Sequence, residues 1–266
     1  MTEPVQLEAI QEIIIKASGL FADRQAAAHR QTKGVADYVT EVDFSVQTFI
    51  RENLAKLYPN IQFMGEEKDN ADVDMDGLVW VLDPVDGTTN LIHDYRASAI
   101  SLALLEGKEP VLGVVYHPYL QEMYWAKKGQ GSFLNGEPIH VSSATTMPES
   151  LIAIGTSPYY KNMAGQLFPI FQRVFEDCQD IRRSGSAAID LAYVAAGRVE
   201  GYFEKDLKLW DYAAGMLLVR EAGGRVLGCG GTDLQVRAVA GVIAGNPAIA
   251  QILADEYVTW AQQPLL

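Results

Sequence analysis

"WVLDPVDGTTN" (residues 80–90) opens like a buried strand and changes character within a few positions. Trp80, Val81 and Leu82 are apolar; two aspartates, a proline, a glycine and two threonines follow. Two carboxylates three residues apart at a strand end converge only if the backbone turns between them. Pro84 fixes φ and withholds a donor, which ends the ladder. Gly87 lets the backbone approach a ligand closely. The Val85 carbonyl falls between the aspartates, and carboxylate oxygens with a carbonyl suit a hard cation such as Mg²⁺. Thr88-Thr89-Asn90, ahead of Leu91-Ile92, reads as a helix start whose free N–H groups favour phosphate. A plainer reading stands beside this one: Asp83 and Asp86 cap a strand-to-helix turn, as aspartates commonly do.

Two further stretches offer carboxylates. In "FMGEEKD" (63–69), Glu66 and Glu67 follow a short apolar strand, either beside the Asp83 cluster or in a solvated acidic loop. In "LWDYAAG" (209–215), Asp211 opens an apolar helix, where an acidic residue is favourable as a plain cap.

The surrounding chain has an ordinary globular profile. Its 266 residues are 48% hydrophobic and 21% charged, enough for one large core or two closely packed lobes. A formal charge of −13 argues against direct nucleic-acid binding, which depends on lysine and arginine meeting phosphates. An anionic substrate stays open, because bound cations reverse a local field. No apolar run approaches the ~18 residues of a membrane span. Residues 1–12 carry no basic segment followed by an apolar one, and Cys178 and Cys229 have no CxxC spacing. A cytoplasmic setting, with neither membrane nor disulfide framework, is the expectation.

Periodicity predicts a helix over 4–28 and a second from about Thr40, where Thr40 and Asp43 form a T-x-x-D cap and Tyr58-Pro59-Asn60 ends the apolar stripe. Residues 62–145 read as an antiparallel meander. After 150, strands (151–155, near 180, 199–204, 240–244) alternate with helices (161–177, 186–197, 210–222, 247–262). A strand-rich part, about 1–148, and an alternating part, about 149–266, fit layered helices and sheets in a single domain.

Gly-Glu-Glu, then Asp-Pro-Val-Asp-Gly-Thr-Thr-Asn, then Trp-Asp before a small-residue helix resembles the inositol monophosphatase family. That family lies within the lithium-sensitive, magnesium-dependent sugar-phosphatase superfamily. The resemblance spans nearly the whole chain, from "ADYVTEVD" (36–43) through "RRSGSAAIDLAYVAAGRVEGYFE" (182–204) to "EAGGRV" (221–226).

The resemblance implies an α+β fold of alternating αβαβα layers, a homodimer, and hydrolysis of a small phosphate monoester with two or three Mg²⁺ ions per site. Glu66, Asp83 and the Val85 carbonyl would hold one ion; Asp83, Asp86 and Asp211 would hold the second. Gly87 and Thr88 N–H groups would face the phosphate. The Thr88 hydroxyl, with Glu66, would orient the attacking water, with Asp43 behind Thr88. Asp86, Glu204 and Ala187, beside Gly185 and Ser186, would meet substrate hydroxyls. Lys33 would lie in the loop that covers the metals in relatives. Thr89-Asn90 after Thr88 is similar to the branch acting on myo-inositol monophosphate. A 3'(2'),5'-bisphosphate nucleotidase or fructose-1,6-bisphosphatase is the alternative activity, and a transcription-associated interaction protein is the alternative class.

Overall fold

The structure, a computed structural model, describes residues 5–34, 37–228 and 230–258, with the side chains of Lys33 and Asp37 excepted. The first predicted helix is two. Helix α1 (Leu7–Ser18) gives way to a 3₁₀ turn at Gly19–Ala22, and Asp23 then caps α2 (Arg24–Ala28) by accepting from Gln25 and Ala26 N–H. The periodicity continues across this break, but the side chain of Asp23 competes for the backbone and restarts the helix. A hairpin of β1 (Arg30–Gly34) and β2 (Asp37–Thr40), not foreseen from sequence, leads into α3 (Glu41–Leu57).

The strand-rich stretch forms one seven-stranded sheet in chain order. Its strands are β3 (Gln62–Gly65), β4 (Leu78–Asp86), β5 (Ala99–Glu106), β6 (Glu109–His117), β7 (Glu122–Lys127), β8 (Ser132–Leu134) and β9 (Glu137–Ile139). The short α4 (Thr88–Ile92) interrupts it after β4. Every pairing is antiparallel as expected except the first, because the loop 66–77 carries the chain back and makes β3 run parallel to β4.

The second half builds a five-stranded sheet, ordered β11-β10-β12-β14-β13. Its elements in chain order are β10 (Leu151–Ile154), α5 (Ala164–Asp177), β11 (Asp180–Arg182), α6 (Ala187–Ala195) and β12 (Gly201–Lys208). There follow α7 (Leu209–Glu221), β13 (Arg225–Leu227), β14 (Val239–Gly245) and α8 (Pro247–Ile252). The closing helix is shorter than expected: a π-helical turn at Leu253–Tyr257 follows α8.

Alternation along the strands dictates the layers. On β4, Val79 and Val81 face the α6–α7 pair, whereas Trp80 and Leu82 face α1 and α3. On β10, Ala153 joins the α6–α7 side while Ile152 and Ile154 pack with α5 and α8. The result is five layers: α1/α3, the larger sheet, α6/α7, the smaller sheet, and α5/α8. The central helices pack very closely. A Cβ at Gly215 of α7 would lie 2.5 Å from Leu191 Cβ of α6, so this crossing admits no larger residue without a shift. The N-termini of α6 and α7 both point towards the end of β4, and there the acidic residues meet.

Candidate active site

The opening motif owes its geometry to a β-bulge. Asp83 pairs with Ser101 and Asp86 with Ala99, so three steps on β4 match two on β5. In a regular strand residues three apart face opposite sides; the extra residue returns Asp86 to the face of Asp83. Pro84 and Val85 occupy the bulge, and Val85 N–H donates to Asp83 Oδ1 at 2.9 Å. The chain then turns at Gly87, whose φ of 92° lies in the left-handed region that favours glycine. The expected helix start is there, although α4 has only 5 residues.

Two other elements bring carboxylates to the same place. Glu66 continues β3, its N–H donating to Leu82 O at 3.2 Å, directly beside Asp83. Asp211 lies in the first turn of α7, where Oδ2 accepts Lys208 N–H at 2.7 Å. Burial, and then the charges of Glu66, Asp86 and Asp211, push the Asp83 carboxyl well above the usual range. Burial, with Asp86 and Glu66, does the same for Asp211. Asp86 is pushed up to about 6 by burial. Its Oδ2 accepts the Ser186 hydroxyl and the Ala188 N–H, each at 2.6 Å, which ties the N-terminus of α6 to the end of β4.

Behind this group, Asp43 is fully buried. Its Oδ2 accepts the Thr40 N–H at 2.9 Å and also the Thr40 hydroxyl; its Oδ1 accepts the Thr88 hydroxyl at 3.0 Å. Thr88 Oγ1 also lies 3.1 Å from Val85 O, so its single proton is shared between these acceptors. The capping contact and the contact to Thr88 coexist on the one side chain. On the far wall, Glu204 accepts the Tyr202 hydroxyl at 2.7 Å and the Ser157 N–H at 2.8 Å. It stands where β12 breaks register against β14, between Glu204 and Leu207. Asn90 Nδ2 donates to Ser184 O at 3.0 Å and so holds the 184–186 turn against α4.

Of the site residues expected from sequence, all but Asp43 line one cavity of about 520 Å³: Glu66, Asp83, Val85, Asp86, Gly87, Thr88, Gly185, Ser186, Ala187, Glu204 and Asp211. The Lys33 side chain lies outside the described residues, as do Val35, Ala36 and Cys229. Sequence reasoning missed other lining residues, among them Tyr38, Tyr159, Lys161, Arg183 and Asp190; His93, read as scattered, also reaches the wall. Asp190 is fully enclosed, and burial raises its carboxyl well above the usual range. An aspartate amid the alanines and leucine of "SAAIDLAYV" was a readable signal; Lys161 and Arg183 had none.

The donor set is chemically suited to metal. Four carboxylates and a carbonyl offer only hard oxygen ligands, and their crowding disfavours the charged forms until a cation neutralises them. Among the described residues no three His, Cys, Asp or Glu side chains stand close enough, as they are, to hold an ion. A cation would draw them inward against their mutual repulsion.

Residues 2–261 match the model of the inositol monophosphatase family. The chain belongs to the inositol monophosphatase family. It is thus a phosphatase of phosphate monoesters, in a family whose members are generally metal-dependent. The Inositol-1-monophosphatase of Rhizobium meliloti (strain 1021) is 40% identical over 223 residues, 84% of each chain. The Nus factor SuhB of Escherichia coli (strain K12) is 39% identical over 243 residues, 90% of each. Among solved structures, the extragenic suppressor protein suhB from Bartonella henselae superposes with a TM-score of 0.87 at 34% identity, covering 93% of this chain and 96% of that one. Staphylococcal IMPase-II with inositol monophosphate bound superposes at 0.79 and 29% identity, covering 94% and 90%; the same enzyme has been crystallised with 2'AMP.

Proposed function

We propose that this inositol monophosphatase family member hydrolyses myo-inositol monophosphate to inositol and phosphate, with Mg²⁺ as the metal and residues 1–266 acting as one catalytic unit. The observation that carries the reading is the convergence of Glu66, Asp83, Asp86 and Asp211, from three separate elements, on one cavity. Glu66, Asp83 and the Val85 carbonyl would hold one ion, and Asp83, Asp86 and Asp211 another. Bound there, the cations supply charge neutralisation for a dianionic ester, a more acidic attacking water and stabilisation of the leaving alkoxide.

The chain's own residues do the rest. Thr88 directs its O–H towards Asp43 and the Val85 carbonyl, so its oxygen lone pairs turn to the cavity and accept a hydrogen bond from the attacking water. Glu66 accepts the water's other hydrogen bond and fixes the direction of attack. N–H groups of Gly87 and Thr88 receive phosphate oxygens at the turn. On the opposite wall Asp86, Glu204 and the Ala187 main chain, beside Gly185 and Ser186, accept or donate to ring hydroxyls, and the Tyr202 hydroxyl and Ser157 N–H hold Glu204 in place. No covalent phosphoenzyme is needed. No helix among the described residues is long and apolar enough to cross a membrane, and we place the enzyme in the cytoplasm as a homodimer.

The relatives named Nus factor SuhB favour a second reading, in which the protein also serves the transcription machinery. The test is phosphate release across a panel of inositol monophosphate, 2'AMP, 3'-phosphoadenosine 5'-phosphate and fructose 1,6-bisphosphate, with Mg²⁺, EDTA or added Li⁺, beside a pull-down with RNA polymerase. We expect inositol monophosphate to turn over fastest, EDTA to abolish the reaction and Li⁺ to inhibit it. Undiminished turnover in EDTA sinks the metal assignment, and a nucleotide or bisphosphate as the fastest substrate overturns the branch.

A further inference from the structure

A second cavity, of about 430 Å³, lies on the other side of the two segments that carry Glu66 and Asp211. Its walls are Met64, Met75, Leu209, Trp210, Val236 and Val239, with Lys108, Lys208, Arg237 and Asn70 also lining it. Met64, Met75, Trp210 and Val236 are only partly buried and pack against the central core, so an occupant would extend that core.

Charge complementarity says what the occupant is. The chain carries a formal charge of −13, yet the charged residues of this cavity are all cations. Lys108 is held by Asp76 at 2.7 Å. Among the described residues, neither Lys208 nor Arg237 has an ion-pair partner. An apolar hollow with two unneutralised cations suits a molecule that is apolar at one end and anionic at the other.

The position of the cavity gives such a ligand a consequence. Met64 is two residues before Glu66, and Asn70 brackets the intervening Gly65, accepting its N–H at 3.2 Å and donating to its carbonyl at 2.8 Å. Lys208, Leu209 and Trp210 run directly into Asp211, and the Lys208 N–H is the donor that holds the Asp211 carboxylate. The wall at Val236–Ala238 is tied to α7 as well: Tyr212 Oη donates to Arg237 O at 2.7 Å and accepts its N–H at 2.9 Å. One face of each segment lines the apolar cavity, and the next carboxylate along lines the acidic one.

We propose that the apolar cavity binds a small amphipathic anion, an aryl or acyl carboxylate, and that its occupancy is coupled to cation binding at the acidic site. Filling the hollow fixes the backbone of Met64–Glu66 and Lys208–Asp211 while leaving the Glu66 and Asp211 side chains free to close on a cation, so cation and anion each tighten the other. The coupling rests on the proposed metal site in the acidic cavity; the anion site does not.

The test titrates naphthalene-2-carboxylate into the full-length metal-free enzyme, followed by the probe's fluorescence. We expect saturable binding at one site per chain, weakened about tenfold by Arg237→Glu, the loss of one charged contact. Val236→Asp should abolish it, and the neutral isostere 2-naphthylmethanol should bind about tenfold more weakly. Calorimetric titration of Mg²⁺ with and without saturating probe should shift the metal dissociation constant by several-fold, and the probe's constant by the same factor. Equal affinity of the Arg237→Glu variant and the parent, or of the neutral and anionic probes, overturns the site. So does binding that appears only on dilution to monomer, since a second copy of the chain would then be the occupant. An unchanged metal constant with intact probe binding overturns the coupling alone. Absence of any metal binding, with the probe still bound, counts against the metal reading of the acidic site instead.

Discussion

Helices α3 and α7 begin in the same way and end up in different electrostatic surroundings. In each, an aspartate in the first turn reaches back to the N–H of the capping residue: Asp43 to Thr40 at 2.9 Å, Asp211 to Lys208 at 2.7 Å. Around Asp43 every other polar neighbour is a donor. Thr40 adds its hydroxyl and Thr88 adds another, so both carboxylate oxygens are satisfied although burial raises the group. Around Asp211 the neighbours are Asp86 and Glu66, and only Oδ2 accepts a hydrogen bond among the described residues. One local rule, an acidic residue at a helix N-terminus, thus yields a finished network in one place and a member of a crowded acidic cluster in the other.

The contrast breaks first at Asp211. Asp211→Asn keeps an oxygen for the Lys208 N–H and removes only the charge. Turnover should fall by more than about a hundredfold, as expected for a lost metal ligand rather than a lost outer partner. The metal-free variant should melt higher than the parent, because a buried charge that repels Asp86 and Glu66 is gone. Phosphate release and thermal melts in EDTA read the two effects. Near-normal turnover would show that Asp211 is no more than a cap. Asp43→Asn should behave differently. Its amide would donate to Thr88 Oγ1 and reverse that hydrogen bond, while Thr88 turns its proton to Val85 O. One of the two Thr88 lone pairs is then taken by the amide and the hydroxyl is re-aimed, so water is held less well and turnover should fall about ten- to a hundredfold with little change in melting.

Which parts of this were legible beforehand follows from the range of the forces involved. The capping box of α3 was readable because Thr40 and Asp43 are three residues apart and act locally. The strand order of the large sheet was readable because each hairpin follows the last. The bulge at Pro84–Val85 and the parallel pairing of β3 depended on partners elsewhere in the chain, whereas the break at Asp23 is a local cap hidden by the continuing apolar periodicity. The same distinction divides the site. Glu66, Asp83, Asp86 and Asp211 were picked out by a family motif, since each alone reads equally well as a cap or a surface charge. Arg183 and Lys161 reach the cavity only because the chain before α5 and before α6 folds over it, and no local pattern announces that.

A smaller effect, but one that sums over the whole cluster, concerns pH. Asp86 stands near 3.8 in the unfolded chain and at about 6 in the folded one. The folded protein therefore holds this proton more tightly. The associated stability is complete below the unfolded value and is lost as pH rises through the folded value. Asp83, Asp190, Asp211 and Glu204 are raised as well and act in the same direction. The metal-free enzyme should melt lower at about pH 7.5 than at about pH 5.5, and Mg²⁺ should narrow the gap by competing with protons for the same oxygens. A metal-free melting temperature that rises over this interval would mean that the carboxylates are already neutralised by something other than a cation.

The finest test compares the two capping residues themselves. Thr40→Ala removes a buried hydroxyl that donates to Asp43 and accepts from Val42 N–H, but leaves Asp43 the Thr40 N–H and the Thr88 hydroxyl. Loss of such a cap costs about 1 kcal/mol, read as a shift of the denaturant midpoint at constant slope. Turnover should change only a few-fold, because Thr88 keeps its acceptor. Lys208→Ala leaves intact the main-chain N–H that Asp211 uses, so its effect on stability should stay within about 0.5 kcal/mol. If the two substitutions prove equally destabilising, the Lys208 side chain is part of the α7 cap, and Asp211 is held by more than the backbone.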